Sequence, residues 1–168
     1  MTFSAVNPEQ VVVAAPITGD RDADFGELFA TEQRPMLRLA FLLLGSGQMA
    51  EEAVQEAFAK VYEKWDSITR PGAFLRTCVV NECRTRHRRR LMALGKRHLL
   101  AQDVAVDDRY AELADALAAL PIRRRTVVVL RHYLQLNTAE IAAQLGISEG
   151  TVKSSLSRGL QQLKEHLS

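Results

Sequence analysis

The sequence predicts an all-α fold: two small helical domains joined by a flexible linker. Three observations predict it. Apolar residues recur at helical spacing from Phe25 to about residue 92, and again from Tyr110 onward. Aromatic residues are only 6% of the 168 and strand-like runs are scarce. Hydrophobic residues reach 47%, enough to build packed cores in both halves.

Residues 1–24 contain Pro8, Pro16 and Gly19 and lack sustained periodicity, so they read as a flexible extension. From there Phe25, Leu28, Phe29, Met36, Leu37, Leu39, Ala40, Leu43 and Leu44 follow helical spacing. Pro35 either starts a second helix or kinks one long helix. Gly45, Ser46 and Gly47 form a loop. A helix from about Met49 to Trp65 turns Ala53, Val54, Ala57, Phe58, Val61, Tyr62 and Trp65 inward. Its outward face holds Glu52, Gln55, Glu56, Lys60 and Glu63. After a short loop with Pro71, a further helix carries Phe74, Leu75, Cys78, Val79 and Leu91 inward and ends in a run of arginines. Residues 25–92 thus form one bundle, and the less regular residues 93–108 read as a linker.

The second domain covers residues 109–168. Leu113, Ala116, Leu117 and Leu120 mark an amphipathic helix that Pro121 stops. Val127, Val128, Leu130 and Tyr133 mark the next. Then come a helix, a tight turn and a last helix. Ala139, Ile141, Ala142 and Leu145 share one face, and Gly146 follows where a left-handed helix end favours a residue without Cβ. Ser148 is a good N-cap, and Glu149 places negative charge at the positive end of the helix dipole. Val152, Leu156, Leu160 and Leu163 form the inward stripe. Thr151, Lys153, Ser154, Ser157 and Arg158 face outward, and short hydroxyls with scattered cations suit a helix lying against phosphates and base edges. An αα-hairpin with a solvated face fits the same pattern.

The net charge of +2 is small, but its distribution is not even. Residues 84–97 hold many cations and no acid, whereas residues 50–66 are rich in glutamate, which suggests two surfaces with different partners. Cys78 and Cys83 are five apart on one helix, point in different directions and read as structural thiols of a reducing cytoplasm. No Cys/His spacing suits zinc, and no nucleophile–base pair or phosphate-binding glycine loop is present. The reading is therefore a non-enzyme with no catalytic residues, metal, cofactor or small-molecule substrate. The short runs 11–15 and 39–44 cannot span a bilayer, and no signal peptide is evident, so a cytoplasmic location is expected.

The stretch ALAALPIRRRTVVVLRHYLQLNTAEIAAQLGISEGTVKSSLSRGLQQLK resembles region 4 of bacterial sigma factors. MAEEAVQEAFAKVYEKWDSI and RPGAFLRTCVVNECRTRHRRR resemble the polymerase-docking and −10-reading parts of region 2. With only these two domains, the chain resembles the extracytoplasmic-function sigma factors of the sigma-70 superfamily. It departs from the family pattern at Ser155, at Gly159 and at Thr85.

The resemblance implies promoter-specific transcription initiation. It assigns the −35 contact to Thr151, Lys153, Ser154, Ser157 and Arg158, with Arg123, Arg124, Arg125 and Arg131 near the DNA backbone. It assigns the −10 contact to Asn81, Arg84, Arg86, Arg88, Arg89 and Arg90, with residues 66–71 forming a pocket for a displaced base. Trp65 and Phe74 would either stack on bases or pack in the core. Polymerase binding falls to Glu52, Gln55 and Glu56, with Glu63 on the same stripe. The implied partners are core RNA polymerase (β′ clamp helices and β flap), promoter DNA and an anti-sigma factor. A stand-alone regulator using the same helix-turn-helix would explain the C-terminal half but not the Glu-rich helix followed by the Arg-rich one.

Overall fold

The computed structural model describes residues 20–94 and 108–168, and within them every regular element is helical. Three helices form the first half: α1 (Arg21–Leu44), α2 (Gly47–Glu63) and α3 (Pro71–Leu94). A short 3₁₀ turn, Trp65–Ser67, precedes α3. Four form the second half: α4 (Asp108–Ala118), α5 (Ile122–His132), α6 (Thr138–Leu145) and α7 (Glu149–Leu167). The expected extension and linker lie largely outside the described residues, but Arg21–Asp24 already belong to α1.

α1 starts where Asp20 accepts a hydrogen bond from the Asp22 amide, and it ends on Gly45 at φ 65°. Pro35 does not divide it. Proline removes one backbone bond, but the turns beyond it bury Met36 and Leu39–Leu44 almost completely, which holds the helix together. α2 is capped by Ser46, whose hydroxyl accepts from the Met49 amide at 3.3 Å. The core of this half is α1 against α2 and α3, through Leu39, Leu43, Ala53, Ala57, Val61, Leu75 and Val79. Trp65 and Phe74 are buried with them. Phe25 meets Trp65 and Tyr62 edge-on at 5.5 and 5.0 Å.

Several faces differ from the expected ones. Tyr62 is 43% exposed, lying under the Arg21 guanidinium at 4.7 Å rather than inside. Lys60 is not simply outward: it pairs with Glu82 of α3. Leu91 is exposed because α3 projects beyond the helices that pack on it. On α4 the buried residues are Ala114, Ala116 and Leu117, so Leu113 faces out.

The two halves touch. The buried cluster runs from α1 and α3 into α4 and α5 without a break. At this junction the Tyr133 hydroxyl donates to the Pro35 carbonyl at 3.2 Å, and the Arg38 guanidinium stacks over Tyr110 at 5.2 Å.

Candidate nucleic-acid interface

The helix-turn-helix is built by local hydrogen bonding. Asn137 and Glu140 form a reciprocal capping box at the start of α6. Gly146 closes α6 at φ 64°, and the amide of Ile147 reaches back to the Ala142 carbonyl at 3.1 Å. Ser148 then caps α7 by accepting from the Thr151 amide at 3.1 Å. These caps fix the turn, and hence the angle at which α7 is presented.

Of the four expected inward residues of α7, Val152, Leu156 and Leu163 pack inward and Leu160 does not. Val152 and Gly159 are buried, Leu156 and Leu163 are half-buried, and Leu160 is 41% exposed. The reason is the close approach of α5: a Cβ at Gly159 would lie 2.8 Å from Val128 Cγ2. Any side chain at this crossing would have to displace Val128. Ala139 likewise faces solvent on α6. On the opposite face of α7, Lys153, Ser154, Ser157 and Arg158 are exposed and Thr151 is half-buried. Five side chains of donor-rich chemistry thus share one open helix face.

The α5 arginines divide. Arg123 and Arg124 are half-buried, and Arg124 donates to Gln162 of α7 at 3.0 Å. Arg131 is exposed and donates to the Leu136 carbonyl at 3.0 Å. Arg125, expected near the DNA backbone, is instead buried. Its guanidinium donates to the Leu120 and Ala118 carbonyls at the end of α4, at 3.0 and 3.3 Å, and to the Leu43 carbonyl of α1 at 2.6 Å. Burial, and then the Arg90 charge, lower its pKa to about 10, so it stays cationic near neutrality.

α3 divides its arginines in the same way. Asn81, Arg84 and Arg88 follow one stripe, at i, i+3 and i+7. Arg84 lies near Arg123 of α5, and burial and that neighbour lower its pKa. His87, on the same side, is pushed down to about 4 by burial, Arg125 and Arg90. Arg86 instead donates to the Glu52 carbonyl at 3.2 Å, and Arg90 to the Leu44 carbonyl at 3.3 Å. Both therefore tie α3 to the rest of its own bundle. Arg88 and Arg89 are exposed.

On α2, Glu52, Gln55, Glu56 and Glu63 are all exposed. Lys60, Glu82 and Arg86 link α2 to α3 beneath them. The hydrogen bond to Glu82 raises the Lys60 pKa against the opposing effect of burial. A shallow pocket of about 300 Å³ lies between the start of α1 and the start of α3, lined by Asp24, Glu27, Leu28, Thr31, Trp65, Pro71 and Gly72.

Cys78 and Cys83 are buried and unlinked. Burial raises the Cys78 pKa to about 11 and raises that of Cys83 further, so neither presents a thiolate. Among the described residues no cluster of His, Cys, Asp and Glu could hold a metal, and no helix is long and apolar enough to cross a membrane.

Comparison with known proteins follows the same division of the chain. Residues 28–92 match the family model for sigma-70 region 2, and residues 110–163 match sigma-70 region 4. The RNA polymerase sigma-E factor of Streptomyces avermitilis is 38% identical over 155 residues, covering 86% of this chain and 85% of that protein. The chain belongs to the sigma-70 family of RNA polymerase sigma factors, in its extracytoplasmic-function group. It is thus an alternative sigma factor, a protein of promoter-specific transcription initiation.

A second relative, the extracytoplasmic-function sigma factor SigM of Mycobacterium tuberculosis, is 34% identical and covers 90% of this chain and 81% of its own. Among solved structures, the Bartonella quintana sigma factor RpoE in complex with the anti-sigma factor NepR shares the fold. Its TM-score is 0.72 at 24% identity, covering 86% of this chain and 96% of that one.

Proposed function

We propose that this sigma factor reads the −35 element with the outer face of α7 and opens and reads the −10 element with α3, while α2 docks on core RNA polymerase. The single observation that carries the reading is the open face of α7. There Lys153 and Arg158 stand exposed among Thr151, Ser154 and Ser157, on a helix whose angle is set by three caps. Lys153 or Arg158 would read guanine N7 and O6 in the major groove, and the hydroxyls would bind phosphate or base edges. Arg123 and Arg124 flank this face.

On α3, Asn81, Arg84, Arg88 and Arg89 would hold the non-template strand. Capture of a displaced base offsets the roughly few kcal/mol needed to unstack it. The pocket beside Trp65 and Pro71 would take that base; of residues 66–71, only Pro71 lines it. Arg86 acts there through packing, because its guanidinium donates to the Glu52 carbonyl in the first half of α2. The exposed Glu52, Gln55 and Glu56 would pair with cations of the β′ clamp, steering the encounter and fixing register. The second half would meet the β flap.

The protein itself performs no catalysis. It acts in the cytoplasm with the polymerase, and its other partner is an anti-sigma factor, as NepR is for RpoE. The domain limits are residues 25–92 and 109–168, with 93–108 as the connection.

Transcription in vitro tests the reading. Core polymerase and fragmented genomic DNA of the host, with and without this protein, should give new start sites preceded by shared −35 and −10 elements. A folded protein that binds duplex DNA alone and yields no core complex would instead be a stand-alone regulator.

A further inference from the structure

The start of α1 and the end of α2 leave an aromatic surface open. Phe29 is 40% exposed and Tyr62 43%, although both belong to a packed bundle. Beside them the Phe58 ring lies 4.8 Å from that of Phe29, and the Phe25 ring lies 5.0 Å from that of Tyr62. Gly26 on α1 and Ala59 on α2, each three residues before one of the exposed rings, are exposed as well. A Cβ at Gly26 would meet nothing within 4 Å. The ground around the rings is therefore low and apolar, and a contiguous apolar surface of this kind marks a contact.

The chain itself arrives at this surface. Arg21 stacks over the Tyr62 ring and donates to the Tyr62 carbonyl and to Asp66, which pins the backbone at Asp20 beside the rings. Residues 1–19 lie outside the described residues, and they join the fold at this edge. Among them only Glu9 has a charged side chain, and residues 11–17 read VVVAAPI. An uncharged run of that composition gains by leaving water. Its position also fits. Phe29 stands nine residues beyond Asp20, about 13 Å along the helix. Residues 11–17 precede Asp20 by three to nine, so they reach about 10–30 Å from it. The part of the chain able to fold back onto the rings is the part whose chemistry suits them.

We propose that residues 11–17 dock on the aromatic surface formed by Phe25, Phe29, Phe58 and Tyr62, so that the chain covers its own exposed patch. The valines lie across Phe29 and the low ground at Gly26 and Ala59. The segment seals the side of the first bundle that α1 and α2 leave open. The surface adjoins the exposed Gln55 and Glu56 of α2, so a second copy of the chain and the polymerase are the competing occupants.

Two measurements on the full chain test it. With methyl-labelled valine, nuclear Overhauser effects should connect the Val11, Val12 and Val13 methyls to the rings of Phe29 and Tyr62, in dilute protein without polymerase. Val11→Ser with Val12→Ser and Val13→Ser should keep the helicity by circular dichroism. It should raise the rate at which tetranitromethane nitrates Tyr62 at least about threefold, as the patch is uncovered more of the time. Tyr110 and Tyr133, which meet edge-on at 6.4 Å in the second half, should be nitrated at unchanged rates.

A wild-type chain without those Overhauser effects overturns the inference, and so does equal reactivity of Tyr62 in the two chains. Protection of Tyr62 that grows with protein concentration assigns the surface to a second copy. Protection that appears only with core polymerase assigns it to the polymerase. Either result also overturns the inference. The Overhauser effects are read on the unaltered chain, so they decide the matter even where the triple variant folds poorly.

Discussion

α3 and α7 both carry cations for nucleic acid, yet they treat them differently. On α7 the polar face is separate from the packing face, and Lys153 and Arg158 lie entirely on the open side. On α3 the arginines turn in several directions. Arg86 and Arg90 hold backbone carbonyls of the same bundle, Arg84 lies against the other half, and Arg88 and Arg89 face solvent. An arginine count therefore predicts a DNA surface poorly. An arginine with a fixed carbonyl partner positions a helix, whereas one on an open face is available to phosphate. The −35 helix should thus be mechanically independent of its cations, and the −10 helix should not.

The largest expected effect comes from the most buried cation. Arg125→Met leaves three carbonyls without their donor, and we expect a loss of about 3 kcal/mol or more in urea unfolding. Arg123→Met, at a half-buried neighbour, should cost far less.

Charge reversal at Glu52 and Glu56 should abolish co-purification with core polymerase while leaving helicity by circular dichroism intact. Retention of the core complex would remove α2 as the docking face.

Packing at the α5–α7 crossing should be next. Gly159→Ala drives a Cβ into Val128 and should destabilise by about 1–3 kcal/mol. Adding Val128→Ala should recover much of that, with the coupling read from a double-mutant cycle. Additive losses would place the crowding elsewhere.

Lys153→Ala and Arg158→Ala should leave stability within about 0.5 kcal/mol, yet each should weaken −35 recognition by about 1–3 kcal/mol if it reads a base. Arg86→Ala should show the reverse, with stability falling before any DNA effect.

A smaller effect concerns pH. The folded-state pKa of His87 is depressed from 6.5 to about 4, so the unfolded chain takes up its proton first. Stability should fall as pH drops from about 6.5 toward 4, and His87→Gln should flatten that part of the profile. Burial is the main cause, and the neighbouring Arg125 and Arg90 guanidiniums sharpen the penalty on a protonated imidazole.

The helices themselves were legible, because apolar periodicity and caps are local properties. Gly146 and Ser148 act as the sequence indicated, and the exposed glutamate stripe on α2 needs only helical spacing. What was not legible depends on partners distant in sequence. Nothing local shows that Val128 excludes a Cβ at residue 159, which moves the buried stripe from Leu160 to Gly159. Nor does the run Arg123–Arg125 reveal that its last member turns inward to carbonyls of α1 and α4. A weak signal existed there: every third or fourth residue of an amphipathic helix faces its core, and Arg125 stands four before Val129, which is buried. Pro35 left open a second helix or one long kinked one, and the deeply buried turn that follows it keeps α1 a single helix.

The most direct test of the division between α3 and α7 combines footprinting and permanganate reactivity on one promoter, with polymerase holoenzyme made from wild type and two variants. Lys153→Ala with Arg158→Ala should lose protection at −35, while thymines at −10 stay reactive wherever the complex still forms. Arg88→Ala with Arg89→Ala should keep −35 protection and lose the −10 reactivity. If both variants lost both signals together, or neither lost either, the assignment of separate promoter elements to α3 and α7 would be wrong.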